Sequence, residues 1–295
     1  MTTASDFQNQ RQFLDVKLLS RNLVERRSWF VAFLILDAVV IYAIATSGVL
    51  TEAWNYTWRG IGVTVQLTIL SFILATIIGL VVALARITRN SIIYNTATLY
   101  VELFRGLPLL VIILIFSFVL TPALVNFASQ VPILDDLLQR LVGIDPTNIP
   151  TTTISIRNIP ETTRILFAFA ITYGAFMSEV FRAGIESIGR GQMEAARSLG
   201  MNYPQAMRFV ILPQAVRNVL PAMANNFILL LKDTSLASVV AIPEISYLAA
   251  QYSSNRFRYP EGLLCLSLIY ANLTIILSLG VIWLETRLQA DRREE

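Results

Sequence analysis

Residues 194–213 read EAARSLGMNYPQAMRFVILP, and the reading of this stretch decides the fold. It is polar and charged, yet apolar runs long enough to cross a bilayer lie on both sides of it. Residues 191–199 are good helix formers. Gly200 supplies a permissive backbone where the chain must change direction. Asn202 is a candidate N-cap, and Pro204 two residues later suits a first helical turn. Pro213 and Pro221 are expected to mark the limits of the next helix and the return into the apolar phase. The stretch therefore predicts a rigid helical knob at a membrane surface.

Composition agrees. Of 295 residues, 55% are hydrophobic and 15% charged, against about 25% charge in soluble domains. The recurring apolar runs predict an all-α polytopic membrane protein. Cys265 is the single cysteine and there is no histidine. Disulfides within the chain, cysteine metal clusters, histidine-ligated zinc and histidine-based acid–base catalysis are thereby excluded. Neither of the two lysines, Lys17 and Lys232, follows a phosphate-cradling glycine loop. The chain is thus not expected to bind ATP in that way, and its energy source is expected to be a separate polypeptide. The first 28 residues are polar and the apolar run behind them is too long for a signal peptide.

Six transmembrane helices are expected, roughly at 29–49, 60–85, 98–120, 163–185, 219–242 and 263–284. Each has the ~20 residues needed to cross ~30 Å of hydrocarbon. Fourteen Lys/Arg fall on one side of these spans and six on the other. The basic side is expected to be cytoplasmic, which places both termini and residues 194–213 inside. Trp54, Tyr56 and Trp58 suit an outer interfacial belt, and Trp29 an inner one. The expected organisation is a cytoplasmic segment at 1–28, an extra helix and outer loop at 29–59, and a transmembrane domain at 60–290. That domain carries an outer insert at 121–160 and a cytoplasmic loop at 187–218. Residues 15–28 read either as an amphipathic helix or as a solvated basic anchor. Residues 131–142 have helical spacing, and 151–156 suit a short extended segment.

Charges inside the spans are costly unless paired or wetted, so each is a functional candidate. Glu102 and Arg105 lie near the inner end of the third span. Glu179 and Arg182, three apart on one helix, share a face. Lys232 and Asp233 lie roughly 18 Å from the inner end of the fifth span, near the midplane. Asn225 and Asn226 precede them and Asn272 sits in the sixth span. Two readings remain open for each charged pair: structural ion pairing, or contact with a ligand that carries both signs of charge. For the latter Lys232, Asp233, Thr234 and Ser235 would offer both charges, helped by a local unwinding. Residues 104–108 (FRGLP) read as a broken helix start. Gly60, Gly62 and Gly79 read as close-packing sites.

The spacing from Glu194-Ala195-Ala196 through Gly200 to Leu212-Pro213 closely resembles the EAA loop of ABC importer permeases, with Val210 where that family more often has isoleucine. Residues 60–86 (GIGVTVQLTILSFILATIIGLVVALAR), 100–111 (YVELFRGLPLLV), 179–184 (EVFRAG) and 231–236 (LKDTSL) resemble the polar amino-acid permeases. The likeness covers most of residues 60–290. It implies a type I importer fold of five core helices plus one N-terminal helix, in the inner (plasma) membrane, without catalysis or a cofactor in this chain. ATP and magnesium would sit in two cytoplasmic ATPase subunits, docked through Glu194, Ala195, Ala196, Arg197, Gly200, Leu212 and Pro213. A binding protein outside would deliver L-amino acids. A second, different permease chain is the expected partner, with a homodimer as the alternative. Candidate substrate contacts are Arg105, Glu179, Arg182, Lys232, Asp233, Thr234 and Ser235. The rival reading is a proton-coupled secondary transporter using Glu179 or Asp233.

Overall fold

The structure, a computed structural model, describes residues 30–131, 134 and 158–294. Residues 15–28 and 151–156, and nearly all of 131–142, lie outside the described residues. Those that are described are helical, with no strand among them. In chain order come α1 (Phe30–Thr46), α2 (Gly48–Thr57) and, after a 3-10 turn, α3 (Ile61–Arg86). They are followed by α4 (Ser91–Gly106), α5 (Leu109–Ile115) and α6 (Thr121–Ser129). The rest is α7 (Glu161–Glu186), α8 (Arg190–Ser198), α9 (Tyr203–Ala206), α10 (Leu212–Asp233), α11 (Ile245–Arg256) and α12 (Tyr259–Glu294).

Local chemistry explains most of the breaks. Ser47 is extended and caps α2 by accepting from Leu50 N, and the Thr51 hydroxyl donates to the Ile44 carbonyl at 2.6 Å. The first apolar run therefore ends at Thr46 rather than Val49, and much of the expected outer loop is helix continuing toward α3. Asn90 caps α4 by accepting from Ile92 N and Ile93 N. Leu107 is extended, as the residue before a proline tends to be, so the third apolar run divides at Gly106–Pro108. The expected span over 98–120 is thereby corrected: its long apolar helical run is Leu109–Ser129.

Two prolines are accommodated by one device. Wide π-turns occupy Phe116–Leu120 and Met207–Ile211, and Pro122 and Pro213 follow at the same offset. A proline ring clashes with the carbonyl four residues back and offers no N–H. Widening the preceding turn to i→i−5 bonds, Thr121 N to Phe116 O and Leu212 N to Met207 O, makes the room. Pro213 and Pro221 therefore bound nothing. Pro213 lies in the first turn of α10 and Pro221 inside it, so one helical rod runs from the surface knob into the bundle.

Among the described residues, four helical segments are long and apolar enough to cross a membrane: Gly48–Arg86, Leu109–Ser129, Glu161–Glu186 and Tyr259–Trp283, with α1 a shorter apolar helix. The expected span over 219–242 is α10 plus a 3-10 stretch, Thr234–Val240. At the end of α10 the helix tightens; it does not unwind as the sequence reading anticipated. The axis of the bundle is α7, with two thirds of its most apolar window buried, against a third or less for the other three segments. It packs along α3 and against α10 and α4. The central core combines Leu67 and Ala75 of α3, Ile112 and Ile113 of α5, Phe169 and Tyr173 of α7, and Leu230 of α10. A second cluster, with Ile44, Ala53, Tyr252, Cys265 and Leu268, joins α1 and α2 to α11 and α12.

Close backbone approach fixes these contacts. A Cβ on Gly79 would lie 2.4 Å from Met177 Cβ, and one on Gly60 would lie 2.5 Å from the carbonyl carbon of Glu244. Gly60 and Gly79 are close-packing sites as expected, whereas Gly62 faces open space. Outward, α3 shows Ile69, Ile73, Ile77, Val81 and Leu84, an exposed apolar stripe at helical spacing. In water such a stripe is a liability; in hydrocarbon it is ordinary lipid-facing or helix-facing surface.

Candidate functional site

Two helices and a turn build the surface knob. α8 ends in a Schellman motif: Gly200 N donates to Arg197 O at 3.0 Å and Met201 N to Ala196 O at 3.2 Å. Gly200 has φ +85°, the left-handed region that a glycine enters without strain. Asn202 then forms a full capping box, accepting from Gln205 N at 3.0 Å while its own N–H donates to the Gln205 side chain at 2.9 Å. Both orphan ends of the hairpin are thus satisfied locally, which makes it stiff. Its root is a small core of Ile185, Ile211 and Ala215, packed with Ile87, Met193 and Met207. Ala196 faces inward at 3% exposure. Glu194, Ala195, Arg197, Gly200 and Pro213 face outward, with Leu212 half-buried. Leu199, Tyr203 and Phe209 are also open, Leu199 at 82%.

Above the hairpin the structure gathers an ionic cluster. Glu179 of α7 accepts from Arg86 of α3 at 2.7 Å, Arg105 of α4 at 3.2 Å and Arg182 at 2.9 Å. Arg182 also reaches Glu186. The Arg86 side chain is 7% exposed and that of Arg105 is 40%. Arg105 also lies 5.9 Å from the Phe176 ring centroid, a cation–π contact. Glu179 is thus shared among three guanidiniums and clamps the ends of α3 and α4 to α7. The spacing of Glu179 and Arg182 foretold their pairing. Arg86 is the partner that no local spacing signals, since it lies 93 residues from Glu179 in the chain.

Lys232 and Asp233 do not pair. Asp233 accepts from the Tyr173 hydroxyl at 2.6 Å. Thr234 is fully buried and donates to the Leu231 carbonyl, and Ser235 is half-buried. Lys232 is exposed, has no ion-pair partner among the described residues, and lines a cavity of about 260 Å³ with Tyr270, Ala271, Thr274 and Ile275 of α12. On another part of α12, Asn272 donates to Asp37 of α1 at 2.8 Å. A lone carboxylate in an apolar run was the signal that could have flagged Asp37.

Glu244, fully buried at the start of α11, accepts from Ser246 N at 2.8 Å, Tyr247 N at 2.7 Å and the Tyr270 hydroxyl at 3.0 Å. Burial pushes its carboxyl above the usual range, and these hydrogen bonds oppose the push.

A helical bundle built for hydrocarbon, carrying a stiff polar hairpin between two of its inner helices and charges clamped across others, belongs to the membrane transport subunits. The chain is a member of the binding-protein-dependent transport system inner membrane component family, whose pattern matches residues 75–294. The probable glutamine ABC transporter permease protein GlnM of Bacillus subtilis is 36% identical over 213 residues, covering 72% of this chain and 84% of that protein. The glutamate/aspartate import permease protein GltK of Escherichia coli O157:H7 is 30% identical over 232 residues, covering 79% and 93%. In the crystal structure of an amino acid ABC transporter with histidines, one chain is 32% identical to this one. It superposes with a TM-score of 0.64, covering 80% of this chain and 96% of that chain. The MetNI methionine ABC transporter, inward facing, is 20% identical with a TM-score of 0.57, a likeness of fold alone. The all-α polytopic permease fold expected from the sequence is therefore the fold observed.

Proposed function

We propose that this chain is the transmembrane permease subunit of an ATP-driven importer for L-amino acids, with six spans, both termini in the cytoplasm, and the inner (plasma) membrane as its location. The observation that carries the reading is the 190–213 hairpin, closed by a Schellman turn and a capping box and rooted between the ends of α3, α7 and α10. A hairpin so braced transmits a rigid-body push. Glu194, Ala195, Arg197 and Gly200, with the exposed Leu199, Tyr203 and Phe209 beside them, form the face offered to an ATPase groove. Leu212 and Pro213 join that face to α10 through the π-turn. Amino acids as substrates are supported by the relatives' names, glutamine and glutamate/aspartate among them.

Two ATPase subunits would supply nucleotide and magnesium, and a binding protein outside would deliver substrate. A second permease chain, preferably different from this one, would complete the pathway. Glu179, Arg105 and Arg182 serve one another and act as structural ions of the inner end. Lys232 is the stronger candidate for substrate contact, because a lysine left open in a spanning layer needs a carboxylate or water. Reconstitution of the chain with its ATPase and binding-protein partners in proteoliposomes tests the reading. Uptake of a radiolabelled amino acid should require ATP inside the compartment that the hairpin faces. Uptake by this chain alone under a proton gradient, without ATP, would replace the reading with that of a secondary transporter.

A further inference from the structure

Glu244 is a fully buried carboxylate with no ion-pair partner among the described residues, and neither the hairpin nor the ionic cluster uses it. One of its roles is ordinary. As the N-cap of α11 it accepts from Ser246 N at 2.8 Å and Tyr247 N at 2.7 Å. Serine, threonine, aspartate or asparagine is the usual residue for that task. The extra methylene of glutamate gives a reach that a cap does not need, and the same carboxylate also accepts from the Tyr270 hydroxyl of α12 at 3.0 Å. Its seat is rigid. A Cβ on Gly60 would lie 2.5 Å from the Glu244 carbonyl carbon, and Ile245 N donates to the Thr64 hydroxyl of α3 at 3.4 Å. The Tyr270 hydroxyl accepts in turn from Ser246 Oγ at 3.4 Å, so its one proton and a lone pair are both engaged. Tyr270 is also a wall of the cavity of about 260 Å³ that Lys232 shares with Ala271, Thr274 and Ile275. Among the described residues Lys232 carries the only charge on that lining, and no carboxylate stands in it.

We propose that Glu244 is a positioning residue for the Lys232 cavity, acting through Tyr270, and that the cavity takes the carboxylate end of the substrate. The inference rests on the reading of Lys232 as a substrate contact. Glu244 itself touches no substrate. It engages the Tyr270 proton and so fixes the ring as the wall against which the lysine and a carboxylate meet. Recognition of the anion then falls to Lys232, with the Thr274 hydroxyl as a further donor on the lining. An ammonium or guanidinium group finds no opposite charge there, so the cavity sorts one end of a zwitterion from the other. Because Glu244 is seated against Gly60 and Thr64, the start of α3 and the cavity are linked through a single tyrosine.

The chain has only two lysines, Lys17 and Lys232, which opens the site to NMR. The full-length chain, assembled in nanodiscs with the subunits that accompany it, is isotopically dimethylated on its lysines, and the Lys232 resonance is the one lost in Lys232→Arg. Without ligand, Tyr270→Phe and Glu244→Asp should both move that resonance, because each cuts the link between hydroxyl and carboxylate. Aspartate keeps the cap of α11, so loss of the helix is not the cause of the shift. With L-glutamine and L-glutamate as probes, each variant should weaken the titration of the resonance about tenfold, the size expected for one lost hydrogen bond to a charged group. The double variant should lose no more than either alone. L-Glutaminamide, which lacks the α-carboxylate, should not titrate the resonance. Glu52→Gln opens an ion pair with Arg256 that lies outside the cavity, and should behave as wild type. An unmoved resonance in both Tyr270→Phe and Glu244→Asp, or additive losses in the double variant, would overturn the positioning role. Shifts in both variants without any response of the wild type to the two amino acids would keep that role and overturn the carboxylate assignment, together with the reading of Lys232 as a substrate contact.

Discussion

The Tyr173 hydroxyl donates to Asp233 at 2.6 Å across the α7–α10 interface. This contact separates two charges that are neighbours in sequence: Asp233 is turned into the bundle, and Lys232, about 100° away around the helix, opens onto α12. The separation gives the two residues different expected phenotypes. Lys232→Gln should raise the KM for amino-acid uptake several-fold with the melting temperature of the purified complex unchanged. Asp233→Asn should weaken uptake and lower the melting temperature together. Tyr173→Phe should destabilise by about 1–3 kcal/mol, the penalty for stripping a partner from a buried polar group. Wild-type KM in Lys232→Gln for every amino acid tried would remove Lys232 from the pathway.

Glu179 holds three arginines on two oxygens. Glu179→Gln should cost about 3 kcal/mol, the lower end of the range for breaking a buried ion pair, since the carboxylate keeps some contact with solvent. Arg86→Gln should follow closely. Arg105→Gln, at 40% exposure of its side chain, should cost no more than about 1 kcal/mol. Thermal unfolding in one detergent ranks the three, and an Arg105 effect as large as that of Glu179 would contradict the clamp.

Gly200→Val places a β-branched side chain at φ +85°. Left-handed backbone costs about 1–2 kcal/mol for an ordinary residue and more for a branched one. The strain should fall on the hairpin alone, because nothing lies within 4 Å of a Cβ at this glycine. Stimulation of the ATPase by substrate should drop while the melting of the bundle stays put. Full coupling in Gly200→Val would mean that the turn is not what carries the push.

Asp37 and Asn272 fasten α1 to α12. A double-mutant cycle with Asp37→Ala and Asn272→Ala should give a coupling of about 1 kcal/mol, the usual size for an interhelical hydrogen bond in lipid. Additive single effects would mean that packing of the Ile44–Ala53–Leu268 cluster holds α1 without the bond.

What could be read ahead of the structure was local. The Gly200 turn and the Asn202 cap each depend on a few consecutive residues, and both formed as expected. The break at residues 104–108 was legible in the leucine–proline pair. Pro213 misled, because a proline is normally a stop, and only the π-turn before it lets the rod continue into α10. The tightening at Thr234 was likewise invisible, since nothing in LKDTSL separates unwinding from a 3-10 turn.

The sequence by itself determined the solvent this chain folds for and the hairpin that interrupts its apolar runs. Hydropathy and backbone propensity are properties of short windows. Tertiary structure alone decided which charge answers which: Arg86 and Glu179 meet from 93 residues apart, Tyr173 and Asp233 from 60, and Lys232 is left open. The reason is rotational. Among so many apolar residues a helix turned by one position buries nearly the same area, so the rotation is settled only when α3, α7 and α10 close on one another through Gly79, Gly174 and Gly184.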